Sequence, residues 1–394
     1  MFMLKPLALA SLFAISGTTL AAGHTATQTQ NGNNNEVTLE QSGEGNTATQ
    51  TQTGDVHRSA IVQIGNKNSV ETLQEGYGSE VSVNQSGNGN LASIYQHPDY
   101  IEPQASHSAS VTQAGDTNNV ALEQQGSYWA NNATLYQEGN NNTYDIHQGS
   151  LNGGSSLTAT TNGSENRLKV FQTDDVTAQI EQVGDGNQIT LGQSFGAQGG
   201  VSSTISQNGN NNLADVSHGR GRYGLTSISL HQEGNYNAAS IEQRGGFSSL
   251  VLNQQGNHND AVITQGALNS NLLGLSMGNS NAVDITQDAI FSTVGFSQVG
   301  DDNLLSINQS EKNNYADIGQ TGTANETVLL QSGHEALDTA GHSATVSQNG
   351  TDNKVSITQT QDYNPNNPMS SFSPANTAAV TQAGMGNIAS IIQQ

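Results

Sequence analysis

Apolar and polar residues alternate along this chain in short runs, and the same two amides frame each run. The pattern N-x-h-x-h-x-Q, with h usually Ala, Val, Ile or Leu, returns about every 11 residues from His24 onward. Asn35–Gln41 places Val37 and Leu39 on one face, and Asn118–Gln124 does the same with Val120 and Leu122. Asn187–Gln193, Asn237–Gln243, Asn259–Gln265, Asn353–Gln359 and Asn387–Gln393 repeat the arrangement. Strict period-two alternation over such a length marks a strand with one buried face. Roughly 31 segments of this kind, taken two to a turn, predict about 15 turns of ~22 residues.

What joins one strand to the next is equally regular. Q-x-G-x-x-N recurs as Gln41–Asn46, Gln63–Asn68, Gln85–Asn90, Gln182–Asn187, Gln232–Asn237, Gln254–Asn259, Gln298–Asn303 and Gln348–Asn353. Gly and Asn accept positive φ, which suits a tight reversal. Four residues are too few to cross to a parallel neighbour in the same sheet. They do carry the chain to a facing sheet, so each strand lies parallel to the one two segments away. The prediction is an all-β fold, a parallel β-solenoid of two facing sheets with a thin core.

Fixed Asn and Gln positions follow from the corners of such a fold. A buried amide offers donors and an acceptor to turn groups that aliphatic side chains would leave unpaired. Like amides stacked at the strand spacing of ~4.8 Å can also bond one another up the axis as a ladder. Stacking is then cooperative, and an isolated turn is not expected to fold. Some positions depart from the pattern. Thr161, His218 and Met277 fall in Gln slots, and Val176 and Val201 in Asn slots. Prolines, which cannot donate to a ladder, predict surface loops near 97–106 and 360–375.

Composition fits a chain rescued from disorder by its repeat. Only 11% of the 394 residues are charged and 33% are hydrophobic, with 44 Gly. The formal charge is −23, with 10 Lys and Arg, which argues against nucleic acid as a partner and against anionic membrane surfaces. Cysteine is absent, so disulfides and thiolate chemistry are excluded. The first 22 residues have the layout of a cleaved secretory signal: Lys5, the apolar run Leu7–Ile15, then small Thr19, Ala21 and Ala22. That run is too short to span a bilayer. Residues 23–394 are expected to form the exported solenoid, without integral membrane insertion.

The spaced unit S/N-x5-Q-x-G-x-x-N-x-h-x-h-x-Q, seen in Ser248–Gln265 and Ser292–Gln309, resembles the curlin repeat of bacterial curli fibre subunits. The resemblance covers almost all of the chain after the leader. It implies an extracellular functional amyloid that passes through the periplasm and leaves by a dedicated outer-membrane pore. It further implies nucleated assembly into a fimbrium-like fibre for biofilm matrix and adhesion, with a curli-type nucleator as partner. In that family the terminal ladder residues drive assembly. Here those are Gln30, Asn35, Gln41 and Asn46 at one end, and Asn376, Gln382, Asn387 and Gln393 at the other. A nucleator tends to carry basic residues in its last repeat, and Thr377–Gln394 has none, which points to a major subunit. A monomeric solenoid adhesin and a minor nucleator are the alternative readings.

Other chemistry finds little support. Of the ten His, His24, His57, His107 and His342 fall in Asn slots, and no H-x-x-x-H spacing occurs. Acids in the turns, such as Glu44, Asp116, Asp185, Asp301, Asp302 and Asp352, read as gatekeepers against premature aggregation in preference to calcium ligands. No nucleophile elbow, phosphate-binding loop or paired carboxylates stand out, so neither an enzyme nor a cofactor is expected.

Overall fold

The computed structural model describes residues 23–98, 106–126, 128–150, 153–194, 200–219, 225–332, 341–360 and 375–394. The expected leader and most of both proline-bearing loops lie outside the described residues. Every described regular element is a strand, 31 in all, from β1 (Thr25–Asn31) to β31 (Ile388–Gln393) in chain order. The chain divides into two compact units, Met1–Gly186 and Asn187–Gln394. The first ends with β14 (Val176–Val183) and the second opens with β15 (Gln188–Ser194).

Each unit is a parallel β-solenoid. Odd-numbered strands form one sheet and even-numbered strands the other, as the length of the turns requires. In the first unit β2 (Glu36–Glu44) pairs in parallel with β4 (Arg58–Asn66), setting Gln41 opposite Gln63 and Gly43 opposite Gly65. Register survives insertions: Gln85 still faces Gln113, and in the second unit Gln348 faces Gln382. A one-residue slip would turn every inward side chain outward, so like stands over like at most levels.

The core is a double file of inward side chains. Ile61, Val83, Val111 and Leu135 stack in the first unit, and Ile241, Ile263, Ile285 and Ile307 in the second, all nearly inaccessible to water. Small residues such as Ala92, Ala261 and Ala316 fill the neighbouring slots, which keeps the facing sheets close. Where one slot shrinks, a neighbour expands. Gly274 leaves room for the Phe296 ring, whose Cε1 would lie 2.3 Å from a Cβ at Gly274. The outermost turns lack this cover. Inward Val37 and Leu39 in the first unit, and Ala389 and Ile391 in the second, stay half-buried.

Candidate assembly ladders

The glutamines that end each strand point inward and form directional columns. Gln30 Nε2 donates to Gln52 Oε1 at 2.9 Å, Gln41 to Gln63 at 2.8 Å and Gln63 to Gln85 at 2.9 Å. In the second unit Gln232 donates to Gln254 at 2.8 Å and Gln298 to Gln320 at 3.0 Å. The columns close with Gln348 donating to Gln382 at 3.0 Å and Gln359 to Gln393 at 2.8 Å. The other N–H of each amide serves the facing strand: Gln63 Nε2 donates to Thr47 O at 3.1 Å and Gln85 Nε2 to Ser69 O at 3.2 Å. One side chain thus satisfies its own donors and acceptor and a buried strand carbonyl.

The asparagine column forms the amide stack that the sequence suggests, with Asn90 Nδ2 donating to Asn68 Oδ1 at 3.1 Å and Asn259 Nδ2 to Asn237 Oδ1 at 3.0 Å, and adds main-chain bonds to it. Asn46 Oδ1 accepts the backbone N–H of Asn68 at 2.9 Å, and Asn68 Oδ1 that of Asn90 at 3.0 Å. Asn46 Nδ2 donates to Gly65 O at 2.9 Å, the turn glycine one level on. Asn187, Asn237, Asn259, Asn303 and Asn353 make the same donation to Gly209, Gly256, Gly278, Gly322 and Gly384, and Asn387 hydrogen-bonds back to Asn353 Oδ1. Each amide therefore serves both its neighbour in the column and main-chain groups of the arc. The arc glycines are fixed twice over. Gly65 has φ of +110°, and a Cβ there would meet Gly87 O at 2.0 Å.

Asn35 and Asn376 belong to another column, at the turns from odd to even strands. Asn35 Oδ1 accepts His57 N–H at 2.9 Å, and Asn376 N–H is accepted by His342 Nδ1 at 3.3 Å. This column mixes Asn, Ser and His. The histidines act as amide surrogates: Nδ1 of His57 and His107 accepts the backbone N–H of Ser79 and Asn131, and Nδ1 of His24 does the same for Asn46 in the other column. With Nδ1 accepting, Nε2 bears the proton, and His107 Nε2 donates it to Gly126 O at 3.2 Å. Burial holds the His107 imidazole neutral, with its pKa down to about 4, and lowers that of His57 and His342 as well.

Three slot assignments change or gain meaning in the structure. Met277 is not in a Gln slot: Gly256 pairs with Gly278, which puts Ser276 opposite Gln254 and turns Met277 outward. The turn glycine, not the Asn271–Met277 spacing, sets the register there. At Thr161 the short side chain leaves space that the buried Tyr144 fills, its hydroxyl donating to Thr161 Oγ1 at 2.7 Å; Thr161 in turn donates to Gln182 Oε1 at 3.2 Å. His218 interrupts its column outright. Its ring engages Ser203 Oγ and Thr226 Oγ1, each at 2.9 Å, and Gln243 Oε1 is left buried with no partner.

A third column escapes the sequence reading. Three residues after the strand-ending Gln, Asn66 Oδ1 accepts Glu44 N–H at 3.0 Å and Asp116 Oδ1 accepts Asn88 N–H at 2.8 Å. Asp185 and Asp301 do likewise for Ser164 and Asn279. The signal was present as a preference for Asn or Asp at that offset. These carboxylates hold turn amides, and among the described residues no group of three or more His, Asp or Glu is placed to hold a metal ion.

The glycine arc, the asparagine that closes it and the stacked glutamines together are one repeating device. Residues 32–65 match the family model for the curlin associated repeat. That stretch carries a curlin repeat. The same glycine arc and amide columns recur along both units beyond the matched stretch. The curlin repeat is a structural, non-enzymatic module, the building block of curli-like structural proteins. No curated protein sequence matches the chain.

Proposed function

We propose that this protein is an exported structural subunit that self-assembles into an extracellular curli-like amyloid fibre serving biofilm matrix and adhesion. The observation that supports this most directly is the state of the end turns. In the first unit Leu39 faces inward but stays half-buried where columns begin at Gln30 and Gln41, and in the second unit Ile391 does so where columns stop at Gln382 and Gln393. An open strand edge templates pairing with another chain, and here a second copy would bring matching amides. On this reading residues 1–22 are a leader, residues 23–394 form the fibre subunit, and the curli-type nucleator and secretion pore are its partners. The absence of basic residues from Thr377–Gln394 favours the role of major subunit.

The test is to incubate purified residues 23–394 in native buffer and follow thioflavin fluorescence, then record fibre diffraction. Fibres with a meridional reflection near 4.7–4.8 Å are expected. A solution that stays monomeric at high concentration would overturn the proposal and favour the adhesin.

A further inference from the structure

The two turn edges of each unit are not alike. Turns from even to odd strands never vary in length: Gln41 to Asn46, Gln137 to Asn142 and Gln348 to Asn353 keep one spacing. Every insertion falls at the turns from odd to even strands, as between Gln96 and His107 or Gln359 and Asn376. Exposed aromatic rings follow the same division. Of the eight strongly exposed aromatics among the described residues, five lie at the variable turns: Tyr77, Tyr128, Trp129, Phe247 and Phe291.

Phe247 and Phe291 are the informative pair. Both belong to the second unit and directly precede the slot residues Ser248 and Ser292. Their φ values are +54° and +57°, a region bulky side chains avoid. The equivalent positions on the level between and the level after hold Asn269 and Asn313, at +55° and +56°, where Asn is at ease. The rings are 55% and 59% exposed, so no core packing compensates for the backbone conformation. Tyr236 on the other edge has the same conformation, at +58°, and the same exposure, so what sets Phe247 and Phe291 apart is that two rings share one edge at alternate levels. Main-chain bonds from Asn269 N–H to Gly246 O at 2.9 Å and from Phe291 N–H to Leu268 O at 3.1 Å fix the levels. The two rings therefore stand two strand spacings apart, about 9.6 Å, with the Asn269 amide halfway.

We propose that this edge of the second unit binds an extended, neutral, β-linked polysaccharide. Aromatic faces pack against the C–H faces of pyranose rings, and the separation of Phe247 and Phe291 is close to one disaccharide of an extended β-1,4-linked chain. Asn269 then meets the hydroxyls of the intervening sugar. The formal charge of −23 disfavours polyanions at long range, which selects an uncharged polymer. Leu268, also exposed, widens the apolar strip between the rings.

The test uses residues 23–394 with cellohexaose, chitohexaose, dextran and alginate as probes, read by calorimetry and by retardation in affinity gels. Wild type is expected to bind the two β-1,4 hexasaccharides, with dextran and alginate at least about tenfold weaker. The double variant Phe247→Asn, Phe291→Asn puts a residue at ease with positive φ at both positions, so it folds, as circular dichroism and thermal melting would verify. It should bind cellohexaose about tenfold more weakly, while Tyr236→Asn on the invariant edge should bind as wild type does. No binding by wild type, equal binding by the double variant, or equal affinity for dextran or alginate would each overturn the proposal.

Discussion

At the scale of the residue, the solenoid is governed by groups that meet themselves one level away. Gly65 illustrates how severe this is, since its missing Cβ would lie 2.0 Å from Gly87 O. Gly65→Ala is expected to cost upwards of about 2 kcal/mol. Gly192, where an added methyl group would meet nothing within 4 Å, should accept Ala within about 0.5 kcal/mol; denaturant melts of the two variants check the contrast. The turn glycine and the framing amides were legible in the sequence because each is repeated at one offset. The amide-to-amide ladder was legible as well, but the main-chain partners that each amide also takes were not. Asn35 and Asn46 make the same pair of bonds, to Gly54 O and His57 N–H and to Gly65 O and Asn68 N–H, yet Asn46 holds an arc of fixed length and Asn35 stands where the chain tolerates insertions.

At the scale of the element, a column is only as complete as its poorest member. His218 turns aside to Ser203 and Thr226, and Gln243 Oε1 is left unsatisfied in the interior. Burial drives the His218 pKa down to about 3, and His107 to about 4. Unfolded histidine takes a proton near pH 6.5. Between those values the unfolded chain binds more protons than the folded one, so stability falls as pH drops from about 6.5 toward 3. His218→Gln should restore the run from Gln193 to Gln243, raise the melting temperature at neutral pH and flatten part of the acid decline. Equal or lower stability in thermal melts across pH 4–7 would show that the ring fits its site better than an amide would. The strands themselves were readable from period two alone. The register of β22 (Asn271–Asn279) was not, because the apparent N-x5-M spacing competes with the glycine match, and the backbone follows the glycine.

At the scale of the molecule, each unit has one edge of constant turn length and one of variable length. The sequence held this division in its spacings, but only the alternation of sheets shows that the insertions share an edge. Removing residues 361–374 should leave the columns Gln348–Gln382 and Gln359–Gln393 in register, since they already bridge that insertion. Fibre formation by the deletion variant should match the parent in thioflavin kinetics, and its loss would mean the loop takes part in assembly. A passenger sequence spliced between Gln359 and Asn376 would likewise project sideways from its strand ends without disturbing them. The variable edge is thus a row of display sites, where an enzyme or an epitope could be carried at regular intervals along a scaffold.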